Sequence, residues 1–159
     1  MRTALALLLA AWLSAARAQG GPAFADVPPC HWAAEAVQRL AGTGIFIGFP
    51  PDDAYLSTNA LRQVFEGLRC GDPAWSLRFI DGGPEALREP GLPDLEGFEL
   101  EVQPAFIEAG RARLAFALTA VIDGRTEVRE GVVDVRRTDA GWQVAYADLA
   151  ALDLPIFPR

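Results

Sequence analysis

Lysine is absent from this 159-residue chain, and histidine occurs once, at His31. Cysteine occurs twice and methionine once, at the start. One His and two Cys leave little material for a metal centre, and only His31 would titrate near neutrality without a perturbing environment. No nucleophile-elbow serine, no Cys–His arrangement with a free thiol and no metal-ligand cluster is visible, so neither catalysis nor a metal or other cofactor is expected. Arginine supplies the basic charge, and against 21 Asp and Glu it leaves a net charge of −7. Nucleic acid is therefore not an expected partner, because phosphate binding needs a basic face. No apolar run reaches the roughly 20 residues of a spanning helix. What remains is ordinary material for a folded domain: 51% of the residues are hydrophobic, and proline and glycine fall between patterned segments.

The first residues read as a leader. Met1-Arg2 gives a positive start, Ala4 to Ala16 is apolar except for Ser14, and Ala16-Arg17-Ala18 has the small-x-small form of a cleavage site. A signal peptide over residues 1–18 implies export to the cell envelope, periplasm or cell surface, with no integral membrane anchor after cleavage. Its removal takes Arg2 and Arg17 away and deepens the negative charge. In an oxidising compartment Cys30 and Cys70 can pair in only one way. Close C-x-x-C spacing, the mark of a redox pair, is missing. Closing a loop of that length stabilises by about 4 kcal/mol on chain-entropy arithmetic.

Residues 24–71 read as two helices around a long loop. Ala33, Ala36, Val37 and Leu40 recur at helical spacing between Cys30 and Gly42. Leu61, Val64, Phe65 and Leu68 form a second stripe, with Ser57 or Thr58 as its cap and Gly71 as its stop. Asp52-Asp53 reads as solvated loop. Antiparallel packing would bring the start of the first helix near the end of the second, where the two cysteines lie.

Phe24-Ala25-Asp26-Val27-Pro28, His31-Trp32-Ala33, Ala36-Val37-x-x-Leu40, Gly44-Ile45-x-x-Gly48, Tyr55 and Leu61-Arg62 follow one another in an order that resembles the S-layer homology domain. The resemblance covers residues 24–70. It implies a module that holds proteins on the cell envelope, typically by gripping a pyruvylated wall polysaccharide, in three copies or in single copies brought together by trimerisation. On that basis Asp26, Trp32, Gly48 and Arg62 are candidate polymer-binding residues. Leu61-Arg62-Gln63-Val64 stands where the family commonly has Thr-Arg-Ala-Glu, so the Arg is retained and the Thr and Glu are not. Each candidate also has a bland reading. His31 can cap or pack at a helix start, Trp32 can anchor a core, and Arg62 can pair with Asp26 or a loop carboxylate.

Asp72-Pro73 opens a short helix at the start of a second unit, residues 72–159. From Phe98 the period changes to two, and strands are expected near 98–106, 111–122, 126–137 and 142–147. Glu108-Ala109-Gly110 as a three-residue loop sets Val102 opposite Phe116, Leu100 opposite Leu118 and Phe106 opposite Ala112. At Asp123-Gly124 a two-residue turn would put Arg125, Glu127 and Arg129 on the apolar face, so a three-residue loop over 123–125 is expected, with Val128 inward and a bulge near Glu130-Gly131. The last hairpin pairs Val135 with Val144 and Val133 with Tyr146. The expected fold is α+β, a helix hairpin followed by a four-stranded antiparallel meander. The helices of residues 30–70, the segment around Trp75 and the tail from Leu152 to Phe157 are candidates to cover the sheet. The second unit weakly resembles nuclear-transport-factor-like and cystatin-like folds, and no site residue is transferred from them.

The function expected is a non-enzymatic, exported envelope protein with an attachment or assembly module and a small binding module. Its expected partners are wall polysaccharide or other envelope proteins, with homo-oligomers as a source of extra copies. A secreted or periplasmic ligand-binding accessory protein, or a small enzyme with a cavity between sheet and helices, are the competing readings.

Overall fold

A computed structural model describes residues 27, 30–31, 33–43, 52–83, 87 and 91–158. The leader, Asp26, Trp32 and Gly48 lie outside the described residues. The fold is α+β, as expected, and its elements in chain order are α1 (Ala34–Gly42), α2 (Asp53–Arg69), α3 (Pro73–Leu77), β1 (Ile80–Asp81), β2 (Leu95–Glu108), β3 (Arg111–Ile122), β4 (Arg125–Thr138), β5 (Gly141–Ala145) and α4 (Tyr146–Ala150).

Helix α2 begins earlier than Ser57. Asp52 is its cap, with Oδ1 accepting from the Tyr55 N–H at 2.8 Å, so Asp52-Asp53 is helix start rather than free loop. The Ser57 and Thr58 hydroxyls instead donate back to the Ala54 carbonyl, at 3.1 and 2.9 Å. The helix ends in a left-handed Gly71 (φ 63°), with the Asp72 N–H on the Gly67 carbonyl at 2.8 Å and the Gly71 N–H on that of Leu68. Asp72 then caps α3 by accepting from the Trp75 N–H at 3.0 Å, with Pro73 in the first turn.

The sheet has five strands in the order β1-β5-β4-β3-β2. Its four long-range antiparallel members follow the expected meander, but β1 pairs parallel with β5 through Ile80 and Val144, making the sheet mixed. Two residues carry no periodicity, which is why β1 escapes a pattern reading. The Gln143 amide ties this edge by donating to the Arg78 carbonyl at 3.0 Å.

Register follows turn chemistry. Val102 faces Phe116 and Leu100 faces Leu118, as expected. The β2–β3 turn, however, is the two-residue Ala109-Gly110, so Phe106 faces Arg113, and an irregularity between Pro104 and Phe106 restores the phase. Asp123-Gly124 is also a two-residue turn, with φ of 46° and 71°. Both central residues lie at positive φ, the geometry Asp-Gly favours because its twist matches the strands. Arg125, Glu127 and Arg129 therefore face Ile122, Ala120 and Leu118, Val128 points out and is 58% exposed, and no bulge interrupts β3–β4. Strand β5 stops at Ala145, so Tyr146 starts α4 rather than facing Val133. Its hydroxyl donates to the Pro158 carbonyl.

The inner face of β3 (Ala112, Leu114, Phe116, Leu118, Ala120 and Ile122) is buried without a break. Ala60, Leu61, Val64 and Phe65 of α2 pack against it, together with Leu154, Ile156 and Phe157 of the tail. Phe65 meets Phe98 at 5.6 Å and Phe157 edge-on at 5.8 Å between ring centroids. Each such side chain contributes about 1.5–3 kcal/mol by leaving water. Among the described residues no helix is long and apolar enough to cross a membrane.

A disulfide joins Cys30 to Cys70, with Cα atoms 5.7 Å apart, and so ties the approach to α1 to the end of α2. Helix α1 leaves Ala36 and Leu40 exposed. Intact mass should therefore rise by two hydrogens on reduction, with no thiol available for alkylation beforehand. Cys30→Ser/Cys70→Ser should open residues 30–43 to proteolysis ahead of the sheet. Two reactive thiols in the native protein would contradict this.

Candidate functional site

The two helices hold the residues singled out by sequence. Just ahead of α1, His31 Nδ1 accepts from the Ala33 N–H at 3.2 Å. At the far end of α2, Arg69 closes on Glu66 at 2.8 Å. Of the four candidate polymer contacts only Arg62 lies among the described residues. It sits on the exposed side of α2, and one guanidinium nitrogen donates to the Leu100 carbonyl at 3.0 Å. Its described partner is thus the backbone of β2 and not a carboxylate. The reason is topological: β2 is an edge strand, and α2 lies against it, so a long donor on the helix can serve the strand's backbone. Tyr55, where the resemblance has an aromatic, is exposed in the first turn of α2.

Behind this surface the α2–α3 turn is held by buried polar contacts that sequence reading did not anticipate. The Trp75 indole N–H donates to Gln63 Oε1 at 2.9 Å, and the Ser76 hydroxyl to the Val64 carbonyl at 2.7 Å. Arg78 stacks over the Trp75 ring at 4.7 Å. The Trp142 indole nitrogen is buried and finds no partner among the described residues.

A second feature lies at the far end of the sheet, where β2 turns into β3 beside β4. A concavity of about 720 Å³ is bordered there by Phe106, Arg111, Arg113, Asp134 and Arg136, with Ala112 and Val135 between them. Arg111 and Arg136 are direct cross-strand partners. Arg113 is fixed by Asp134 at 2.9 Å, and Arg136 approaches Asp81 only to 4.0 Å. The hydrogen bond from Arg113 holds the Asp134 carboxyl below the usual carboxylate range. Arg137, next in sequence, reaches Asp53 at the start of α2 at 3.7 Å. The residues involved are far apart in sequence, and only the β3–β4 register brings them together. Among the described residues, no group of three or more His, Cys, Asp or Glu side chains is arranged to hold a metal ion.

Comparison with known proteins bears on the helical end. Over 51 residues the chain is 49% identical to the outer membrane protein SlpA of Thermus thermophilus, a stretch that makes up 31% of this chain and 6% of SlpA. The chain thus corresponds to a small fraction of that relative's length. The family match covers residues 23–53 and stops at the first residue of α2, leaving Arg62, Cys70 and the whole sheet beyond it. Residues 23–53 of this chain match the S-layer homology domain.

Proposed function

We propose that this protein is a non-enzymatic component of the cell envelope in which residues 24–70 attach the chain to wall polymer or to other envelope proteins. The observation that carries the reading is the S-layer homology match over residues 23–53, joined by the 49% identity to an outer membrane protein. The sheet of residues 72–159 is then a small binding or interaction module carried to the envelope. Asp26, Trp32, Gly48 and Arg62 are the proposed polymer contacts. Arg62 suits the part because it is exposed, with one nitrogen engaged among the described residues, and a guanidinium can meet an anionic group in two-pronged fashion. With one copy of the motif per chain, self-association would supply avidity.

Co-sedimentation with purified envelope material, before and after chemical removal of the wall polymer, tests the reading. The protein should pellet with intact material and stay in solution with stripped material; equal behaviour in both sets rejects polymer attachment. Arg62→Ala should reduce the pelleted fraction several-fold. It should lower the melting temperature only slightly, since the bond to Leu100 contributes about 1 kcal/mol. Full binding by that variant would leave Arg62 as no more than a tie to β2.

A further inference from the structure

The far end of the sheet has a charge arrangement that folding does not explain. Arg111 and Arg136 lie directly opposite each other on β3 and β4, and like charges so placed destabilise a sheet. Arg111 has no side-chain partner among the described residues, although Glu108 faces it across the β2–β3 turn. Arg136 has Asp81 at 4.0 Å, an exposed contact of little energetic weight, and a through-space attraction to Asp134. A chain of net charge −7 thus gathers Arg111, Arg113 and Arg136 at one end of two strands. Beside them Phe106 leaves 47% of its surface in water. These groups border a concavity of about 720 Å³, a volume within the range of small-molecule sites.

We propose that this concavity binds an anion carried on a ring, specifically a phosphorylated or carboxylated sugar, with Arg111 and Arg136 gripping the charged group and Phe106 offering its face to the ring. The ligand's negative charge turns the repulsion between the two arginines into a shared attraction, and the planar guanidinium matches phosphate or carboxylate through paired N–H donors. Asp134 serves as a spacer: it fixes Arg113 and keeps that guanidinium from competing for the anion. Phe106 sits on the edge strand opposite Arg113, so a ring resting on it lies within reach of the arginines across β3. The site is separate from residues 23–53 and does not depend on the attachment reading.

Titration calorimetry of the full mature chain with glucose 6-phosphate and glucuronate, with glucose and inorganic phosphate as controls, tests the proposal. The two ring-bearing anions should bind saturably, phosphate more weakly and glucose not at all, with affinity falling as salt rises. Arg111→Gln/Arg136→Gln should weaken binding at least tenfold while the melting temperature holds or rises, because the repulsion is relieved. Phe106→Ser should remove the preference for glucose 6-phosphate over phosphate. Arg62→Ala should leave sugar binding untouched, which separates this site from the attachment surface. Absence of saturable binding by either anion, unchanged affinity in the double variant, or a drop of many degrees in its melting temperature would each overturn the assignment.

Discussion

Phe116→Asp should leave no cooperatively folded domain at room temperature, whereas Glu101→Asp on the opposite face should be nearly silent. Phe116 lies mid-way along β3, 6% exposed, between Val102 on β2 and Gly131 on β4. Its ring covers the glycine: a Cβ built on Gly131 would lie 3.4 Å from both Cε1 and Cζ of Phe116. The aromatic and the glycine thus form one fitted pair across the strands. Losing the ring costs about 3–5 kcal/mol in transfer and cavity terms. Placing an ionised carboxylate there adds a desolvation cost of several kcal/mol, and Arg129, the inward cation two residues along β4 from Gly131, is already engaged by Glu127 and the Leu152 carbonyl. Together these approach the whole stability of a domain, about 5–15 kcal/mol. Glu101 is exposed on the other side of β2, where substitutions usually stay within about 0.5 kcal/mol. Thermal melts followed by far-ultraviolet circular dichroism give the comparison, and equal, mild shifts at both positions would show the inner and outer faces to be misassigned.

The inner face of β3 could be read directly because burial there is two-fold periodic from Ala112 to Ile122 and nothing local competes with it. The two β-turns were harder. Expecting every inward position to be apolar argues against a two-residue turn at Asp123-Gly124, yet the local preference of Asp-Gly for that turn prevails. The polar residues it turns inward have a use: Arg129 donates to the Leu152 carbonyl at 2.8 Å and pairs with Glu127 at 3.0 Å. At that end of the sheet Arg129 meets the backbone of the tail, and a backbone carbonyl needs a donor. The same rule explains Arg62. Its retention within an altered motif marked it as unusual, but its described partner, a carbonyl 38 residues onward, follows only from where α2 lies on the sheet. The arginine cluster was out of reach for a related reason. A three-residue loop at 123–125 shifts β4 against β3 and separates Arg111 from Arg136. The disulfide was legible because the chain holds two cysteines, which can pair in one way, at the approach to one helix and the end of the next.

Gly67→Ala is expected to destabilise the protein by about 3 kcal/mol, against the direction helix propensity gives. Gly67 lies inside α2, where alanine normally gains about 1 kcal/mol over glycine. Here the missing side chain is what allows α3 to approach. A Cβ on Gly67 would run into Ser76 Oγ and lie 2.7 Å from the Ser76 nitrogen and 3.0 Å from the Asp72 carbonyl. Two of those three neighbours are backbone, so no rotamer change relieves the clash. The strained groups also hold the turn. Ser76 donates to the Val64 carbonyl, and the Asp72 N–H bonds the carbonyl of Gly67 itself. Overpacking costs about 1–3 kcal/mol, and disturbing a buried hydrogen bond about 1–3 kcal/mol more. Less the gain from propensity, the net is close to 3 kcal/mol, or a fall of roughly 10 °C in melting temperature for a domain of this size. Gly71→Ala is the informative control. Its φ of 63° makes a side chain unfavourable, yet nothing lies within 4 Å of the added carbon, so its cost should be confined to about 1–2 kcal/mol of backbone strain. The expected order of stability is wild type, then Gly71→Ala, then Gly67→Ala. If Gly67→Ala melts at or above the wild type, α2 and α3 do not approach as closely as the Ser76 contact requires, and the α2–α3 corner that seats Trp75 against Gln63 is looser than described.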